Sequence, residues 1–211
     1  MTTGYFITGT DTGVGKTYIT SLLLKSLVKM GKRACGFKPI CCGDRDDVFA
    51  LLKAGSTDPQ LTPEAINPIW LRPPAAPYTA CIIEERVVDI PFIHEHLQRL
   101  TSFEFVLVEG AGGWRVPIRQ DYFISDLAKE IGFPVIIVAR LGLGTLNHTL
   151  LTVDSIRSTG LPIAGIIVND AEGTADPIAA STNPALLEQL TGEKILGTIG
   201  KGEMEIDWPL G

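Results

Sequence analysis

The sequence predicts an α/β fold, in which a central, mainly parallel β-sheet lies between two layers of helices in a three-layer αβα arrangement. Short runs of Val, Ile and Leu alternate along the chain with longer segments of helical periodicity. The apolar runs are almost uninterrupted, as expected for strands of a parallel sheet that is covered on both faces. The 211 residues contain no internal repeat or long linker, so we expect a single domain over residues 1–211.

The predicted elements follow one another in strand–helix order. Residues 5–8 form a strand, and a turn then leads into a helix over residues 16–30, where apolar residues recur at helical spacing. The other predicted strands are residues 33–40, 105–108, 134–139, 163–168 and 194–199. The other predicted helices are residues 91–100, 124–131, 146–158 and 183–190. Between Gly55 and Glu85, repeated prolines predict an irregular segment at the rim of a site.

The composition argues against several classes of function. A net charge of −6 without a Lys/Arg cluster disfavours nucleic-acid binding. The longest apolar runs have the length of strands, too short to cross a membrane. The first residues show no basic region followed by an apolar stretch, so we expect a cytoplasmic protein. Four cysteines without C-x-x-C spacing predict structural thiols rather than a metal or redox site.

The segment GTDTGVGKT, from Gly9 to Thr17, carries the strongest chemical signal. It follows a predicted strand and opens a predicted helix, where successive backbone N–H groups and the helix dipole together favour a phosphate group. Lys16 is expected to reach the β- and γ-phosphates, and the Thr17 hydroxyl to bind magnesium. The leading glycine lies one residue earlier than in the common pattern. The sequence therefore predicts a P-loop NTPase-type domain, with nucleotide contacts from Gly13, Val14, Gly15, Lys16, Thr17 and Tyr18.

Five sequence blocks together resemble the dethiobiotin synthetase family. They are GTDTGVGKT at 9–17, GFKP at 36–39, VEGAGGW at 108–114, LGTLNH at 143–148 and VND at 168–170. The blocks follow the family's order from about residue 4 to residue 200. The resemblance implies a ligase of biotin biosynthesis that uses ATP to join CO2 to 7,8-diaminononanoate (7,8-diaminopelargonate). An amine captures CO2 as a carbamate, ATP phosphorylates the carbamate, and the second amine displaces phosphate to close the ureido ring.

The resemblance also implies roles for individual residues. Lys16 and Lys38 are implied as the catalytic cations, and Thr17, Asp47 and Glu109 as ligands of Mg2+; among the neighbouring aspartates, alignment with the family favours Asp47. Further nucleotide contacts are implied for Glu109, Gly110, Ala111, Gly112, Asn169, Asp170, Gly200, Lys201 and Gly202. Substrate contacts are implied for Thr12, Lys38, Cys42, Gly144, Thr145 and Asn147. The amide of Asn169 is expected to read the adenine edge.

The resemblance implies a homodimer with shared sites, because in this family the loop at residues 142–147 reaches across the subunit interface. The sequence departs from the family at two places. Cys42 stands where a hydroxyl residue is common, and a thiol is a weaker hydrogen-bond partner. Residues 200–202 (Gly-Lys-Gly) replace a Pro-Trp-Leu-like segment that packs on the nucleotide base. We therefore expect nucleotide selectivity looser than strict use of ATP.

Two other functions share the predicted fold. Partitioning and septum-positioning ATPases carry a second lysine in the phosphate loop, and this chain has Asp11 at that position. A protein that only binds nucleotide would leave Lys38 without a task. The sequence thus favours the enzyme over both alternatives.

Overall fold

A computed structural model describes residues 2–210 of the chain. Its strands are β1 (Thr3–Gly9), β2 (Ala34–Phe37), β3 (Ile40–Cys42), β4 (Ile69–Leu71), β5 (Phe105–Gly113), β6 (Pro117–Arg119), β7 (Tyr122–Phe123), β8 (Val135–Arg140), β9 (Ile163–Asn169) and β10 (Ile195–Ile199). Its helices are α1 (Lys16–Lys29), α2 (Asp46–Ala54), α3 (Pro63–Ile66), α4 (Pro77–Ile83), α5 (Ile90–Arg99), α6 (Ile124–Ile131), α7 (Thr145–Thr159) and α8 (Pro177–Thr191).

Six of these strands form one parallel sheet, in the order β10-β9-β8-β1-β5-β2. Most residues of this sheet are buried, and residues 135–139 of β8 and 166–168 of β9 are all 0% exposed. Helix α1 packs against β1, β2 and β5, and helix α7 packs against β8 and β9. The continuous Val/Ile runs thus lie where both faces of a sheet are covered. The predicted α/β fold with a parallel central sheet is confirmed.

The predicted strand over residues 33–40 is interrupted in the structure. β2 ends at Phe37, and β3, which starts at Ile40, leaves the sheet to pair with β4. Between β2 and β3, the backbone N–H of Lys38 donates to Ile66 O at 2.8 Å. Pro39 has no N–H that could hydrogen-bond to a neighbouring strand. The interruption places Lys38 just beyond the carboxyl end of β2.

Other departures from prediction have local causes. The segment from Gly55 to Glu85 contains α3, β4 and α4, because Pro63 and Pro77 occupy the first turns of short helices rather than breaking them. Helix α2 and the β6–β7 hairpin were also not predicted. Helix α8 starts before the predicted residue 183, since Asp176 caps it and Pro184 lies inside it.

Several sheet strands end at one common edge. β1 runs into the phosphate loop, β2 is followed by Lys38, and β8 and β9 end at Arg140 and Asn169, which are paired in register. Glu109 lies on β5, opposite Ile7 of β1. Ligands of open α/β sheets bind at this edge. Within residues 2–210, none of the helices combines the length and apolarity needed to span a membrane.

Replacement of Leu187 by Ala should destabilise the fold, because this α8 side chain is fully buried. We expect a loss of about 2–5 kcal/mol in the free energy of unfolding. Leu190→Ala, in the same helix at a position 52% exposed, is the matched control, and should change stability by no more than about 0.5 kcal/mol. Urea unfolding monitored by circular dichroism measures both, and equal losses would contradict the packing described here.

Candidate active site

The phosphate loop joins β1 to α1 through glycines in left-handed conformations. Gly13 has φ 71° and Gly15 has φ 89°, a region that L-residues with a side chain rarely adopt. Gly15 also faces a close neighbour, because a Cβ built on it would lie 2.1 Å from Nδ2 of Asn169. A side chain at position 15 would therefore displace either the loop or Asn169.

Lys16 extends back over the loop. Its side chain is almost buried, and Nζ lies 3.4 Å from Asp11 O. Burial, together with the positive charge of Lys38, lowers the pKa of Lys16 to about 8. The carboxylates of Glu109, Asp47 and Asp11 oppose this change without reversing it. The protonated form of Lys16 would therefore be stabilised by an anion bound beside it.

Four side chains from four parts of the chain meet at Glu109, in the middle of β5. The Thr17 hydroxyl lies 2.7 Å from both Asp47 Oδ1 and Glu109 Oε1. The Nζ of Lys38 donates to Asp47 Oδ2 at 2.6 Å and to Glu109 Oε1 at 2.5 Å. Both Lys38 and Glu109 are buried, with side-chain exposures of 4% and 0%.

The charges in this cluster stabilise one another. Burial alone would lower the pKa of Lys38, but Glu109 and Asp47 outweigh it and raise the pKa. Burial would raise the pKa of Asp47, but Lys38 outweighs it and lowers the pKa. Lys38 is therefore protonated at neutral pH. Glu109 keeps one buried oxygen, Oε2, without a hydrogen-bond partner among the described residues.

A cavity of about 490 Å³ opens beside this cluster. It is lined on one side by Lys38 and Asp47, and elsewhere by Thr12, Ile40, Cys41, Cys42, Asp44, Pro74, Ala75, Ala76, Pro77, Ala111, Gly112 and Val116. The structure thus brings Thr12 and Cys42 to the same cavity as Lys38. Burial raises the pKa of the Cys42 thiol to about 12, so the thiol is neutral at physiological pH.

A second cavity, of about 140 Å³, borders the phosphate loop. Its lining residues are Gly13, Val14, Gly15, Tyr18, Arg140, Asn169, Asp170, Ala171, Glu172 and Thr174. Nδ2 of Asn169 donates to Val14 O at 2.9 Å, and its Oδ1 accepts from the Ala171 N–H at 3.2 Å. The Tyr18 hydroxyl donates to Glu203 O, which ties α1 to the segment after β10.

Some of the predicted site residues lie outside these two cavities. Gly110 is buried within β5, where a Cβ would meet Ile124 and Phe6. Gly144 and Asn147 are exposed near the start of α7, while Thr145 lines a third cavity of about 100 Å³ with Thr10, Asp11 and Arg140. Residues 200–202 form a turn that packs against the 170–174 loop, with Lys201 close to Gly173.

Arg140 was not among the predicted site residues. It is the last residue of β8, and its Nη2 donates to Gly13 O at 3.1 Å. The signal was present in the sequence, because a basic residue directly follows the buried run from Val135 to Ala139 at the end of a predicted strand. A basic residue there lies at the ligand-binding edge of the sheet.

Solved structures share this fold at low sequence identity. A ParA family ATPase from Chlorobium tepidum superposes with a TM-score of 0.60 at 14% identity, covering 96% of this chain and 86% of the other. The septum site-determining protein MinD from Pyrococcus horikoshii, solved with Mg-ADP, gives a TM-score of 0.61 at 19% identity, covering 95% and 82%. These likenesses establish the fold.

Sequence comparisons are more specific. A family model described as an AAA domain matches residues 3–203. An ATP-dependent dethiobiotin synthetase from Akkermansia muciniphila is 41% identical over 204 residues, which cover 96% of this chain and 94% of the relative. The same enzyme from Bacillus subtilis is 43% identical over 204 residues, covering 94% and 87%, and that from Methanocaldococcus jannaschii is 36% identical over 209 residues, covering 96% and 97%. The chain belongs to the ATP-dependent dethiobiotin synthetase family.

Proposed function

We propose that this protein closes the ureido ring of dethiobiotin from 7,8-diaminononanoate, CO2 and ATP, as a ligase of biotin biosynthesis in the cytoplasm. One observation carries the proposal. Lys38, fixed between two carboxylates, lines a cavity of about 490 Å³, and its charge acts on Lys16 of the phosphate loop. The site therefore combines a phosphate-binding loop with a second cation at a cavity large enough for a small organic substrate.

The phosphorylation step of the reaction brings two anions together, the carbamate and the γ-phosphate of ATP. One amine of the substrate attacks CO2, loses a proton and becomes a carbamate. A carbamate oxygen then takes the γ-phosphoryl group from ATP, and ADP leaves. The second amine attacks the carbonyl carbon, the bond to phosphate breaks, and the ring closes. Since carbamate and γ-phosphate repel each other, the site must supply positive charge where they meet.

Lys38 and Lys16 supply this charge in different ways. An ammonium group carries three N–H donors, and Lys38 uses two of them on Asp47 and Glu109. The third is free to hold a carbamate oxygen. Among the described residues, the Lys16 ammonium forms one hydrogen bond, to a backbone carbonyl at the weak distance of 3.4 Å. Its charge is therefore available for the β- and γ-phosphates.

The residues around Thr17 fit a magnesium ion. A hydroxyl has one proton and can donate to one of the two carboxylates at a time, although both lie 2.7 Å away. The buried Glu109 Oε2 has no partner among residues 2–210. Thr17, Asp47 and Glu109 would hold Mg2+ through oxygen, the ligand this hard cation prefers. When bound, the ion would neutralise phosphate charge.

The remaining assignments complete the site. Thr12 and Cys42 contact the diamine, and Asn169, Asp170 and residues 200–202 border the nucleotide base. Gly144 and Asn147 reach the cavity of a partner subunit in a homodimer, whereas the buried Thr145 borders the substrate from the cavity beside Thr10 and Arg140 of its own chain. Leu143, in the same loop, is 100% exposed, which supports an apolar contact with a second copy.

Sedimentation at equilibrium should show two chains per particle. A monomer at the assay concentration would contradict the proposed homodimer.

Phosphate release from ATP tests the function directly. Full release should require 7,8-diaminononanoate, bicarbonate and Mg2+, and omission of any one should suppress it. Lys16→Ala and Lys38→Ala should each lower dethiobiotin formation at least about 100-fold, because each removes a cation from the transferring phosphoryl group. Phosphate and dethiobiotin are measured in the same reactions.

Lys25→Ala is the matched control, because Lys25 is exposed on the same helix as Lys16. This variant should keep full activity, and circular dichroism should show that all three variants are folded. ATP consumption that ignores the diamine would instead support a regulatory ATPase. Near-normal activity of either active-site variant would refute the assigned roles.

The pKa of Lys16, about 8, predicts a pH-dependent affinity for ATP. Phosphate binds the protonated lysine, which predominates below that pH and is lost above it. The affinity should therefore fall by roughly tenfold per pH unit above about pH 8, and binding at higher pH should take up a proton. Calorimetry in two buffers of different ionisation enthalpy measures both quantities. An affinity that stays constant up to about pH 9.5 would contradict the lowered pKa.

The turn at residues 200–202 predicts loose selectivity for the nucleotide base. Its Gly-Lys-Gly sequence offers no aromatic or proline ring to pack on adenine. GTP and CTP should therefore support turnover within about tenfold of ATP. Steady-state kcat/KM for the three nucleotides measures the preference. A strong preference for ATP would show that other groups read the base.

A further inference from the structure

Two side chains hold successive carbonyl groups of the phosphate loop. Arg140 and Asn169 end neighbouring strands and are paired in register. Nη2 of Arg140 donates to Gly13 O at 3.1 Å, and Nδ2 of Asn169 donates to Val14 O at 2.9 Å. The two carbonyls belong to consecutive peptide groups, so one pair of strand ends restrains two adjacent links of the loop.

These bonds determine where the loop's N–H groups point. In a planar trans peptide, the C=O and the following N–H point in opposite directions. Holding Gly13 O therefore turns the Val14 N–H away from Arg140, and holding Val14 O turns the Gly15 N–H away from Asn169. Within residues 2–210, neither N–H donates to an acceptor, so both remain available for a ligand.

The loop needs such a restraint because of its composition. Gly13 and Gly15 flank the two peptide groups, and glycine backbones move between left- and right-handed conformations with little steric penalty. Without an external bond, these peptide groups can turn over and direct C=O groups at the phosphate. A nest of N–H groups binds an anion only while it is held in one orientation.

We propose that Arg140 and Asn169 are positioning residues that hold the Val14 and Gly15 N–H groups toward the phosphates of the nucleotide. The proposal rests on the proposed function of the loop as the ATP phosphate site. It gives Asn169 a role besides contact with the base, since one of its two amide N–H groups and its oxygen are already bonded to backbone. It gives Arg140 its first role in the site.

Arg140 could also attract phosphate through its positive charge, and an experiment must distinguish this effect from its positioning role. Its side chain is exposed, and it forms no ion pair with a carboxylate in the described part of the chain. A purely electrostatic attraction for phosphate from an exposed guanidinium is screened by salt. A bond that fixes a peptide group acts at any ionic strength, so salt distinguishes the two effects.

Inorganic triphosphate is the decisive probe, because it has phosphates but no base. Arg140→Met and Asn169→Ala should each weaken triphosphate binding about tenfold, the effect of losing one well-directed hydrogen bond to an anion. For Arg140→Met, the ratio to wild type should persist at about 0.5 M salt. Arg99→Met, which removes an exposed arginine of α5 away from the site, is the control and should bind as wild type does.

Each result that differs from these expectations would contradict a defined part of the proposal. If Asn169→Ala keeps the triphosphate affinity and weakens only the binding of ATP, Asn169 contacts the base and does not position the loop. If the loss in Arg140→Met disappears at high salt, Arg140 acts through charge alone. If wild-type protein binds triphosphate without competing with ATP, the loop is not the phosphate site and both proposals fail. Circular dichroism checks folding, and the exposed Arg140 keeps the test decisive should Asn169→Ala unfold.

Discussion

The buried ammonium of Lys38, held between Glu109 and Asp47, is the interaction on which the geometry of the site depends. Each carboxylate comes from a different element, so the lysine ties β2, β5 and α2 together at one point. Removing a charge from such a buried cluster leaves its partners uncompensated, which is far more costly than breaking an exposed ion pair. The packing of β2 beside β5 and the ion pairs of Lys38 therefore favour the same positions of these elements. The large cavity opens beside these ion pairs.

The phosphate loop has a different construction, based on backbone rather than charge. Its glycines permit a tight turn that leaves the Val14 and Gly15 N–H groups without an acceptor among the described residues. A side chain at position 15 would collide with Asn169. An acidic protein with a net charge of −6 can therefore bind a polyanion locally. The rigid sheet supplies what the flexible loop lacks, because the ends of β1, β8 and β9 are fixed relative to one another by ladder hydrogen bonds.

The sequence predicted the parts of this structure that depend on local pattern. The parallel sheet, α1 and the loop between β1 and α1 follow from apolar periodicity and glycine spacing. The predicted strand over residues 33–40 runs through Lys38, and its interruption after Phe37 was missed because the bond from the Lys38 N–H to Ile66 O joins segments distant in sequence. Arg140 was missed although its position at a strand end could be read from the sequence, because its acceptor, Gly13 O, becomes visible only when strand order and register are known.

Lys16 and Lys38, the two lysines of the proposed active site, show how burial sets different properties for the same side chain. Lys38 is more deeply buried than Lys16, yet its pKa is raised because two carboxylates lie within hydrogen-bond distance. The pKa of Lys16 is lowered because burial and the charge of Lys38 outweigh the more distant carboxylates. Lys38 is therefore fixed in position and charge before any ligand arrives. The protonated form of Lys16 is stabilised when phosphate binds, because the phosphate brings negative charge next to its ammonium group. Lys16 therefore attracts the phosphate most strongly where negative charge accumulates. Positioning and charge stabilisation are thus divided between two residues of one type.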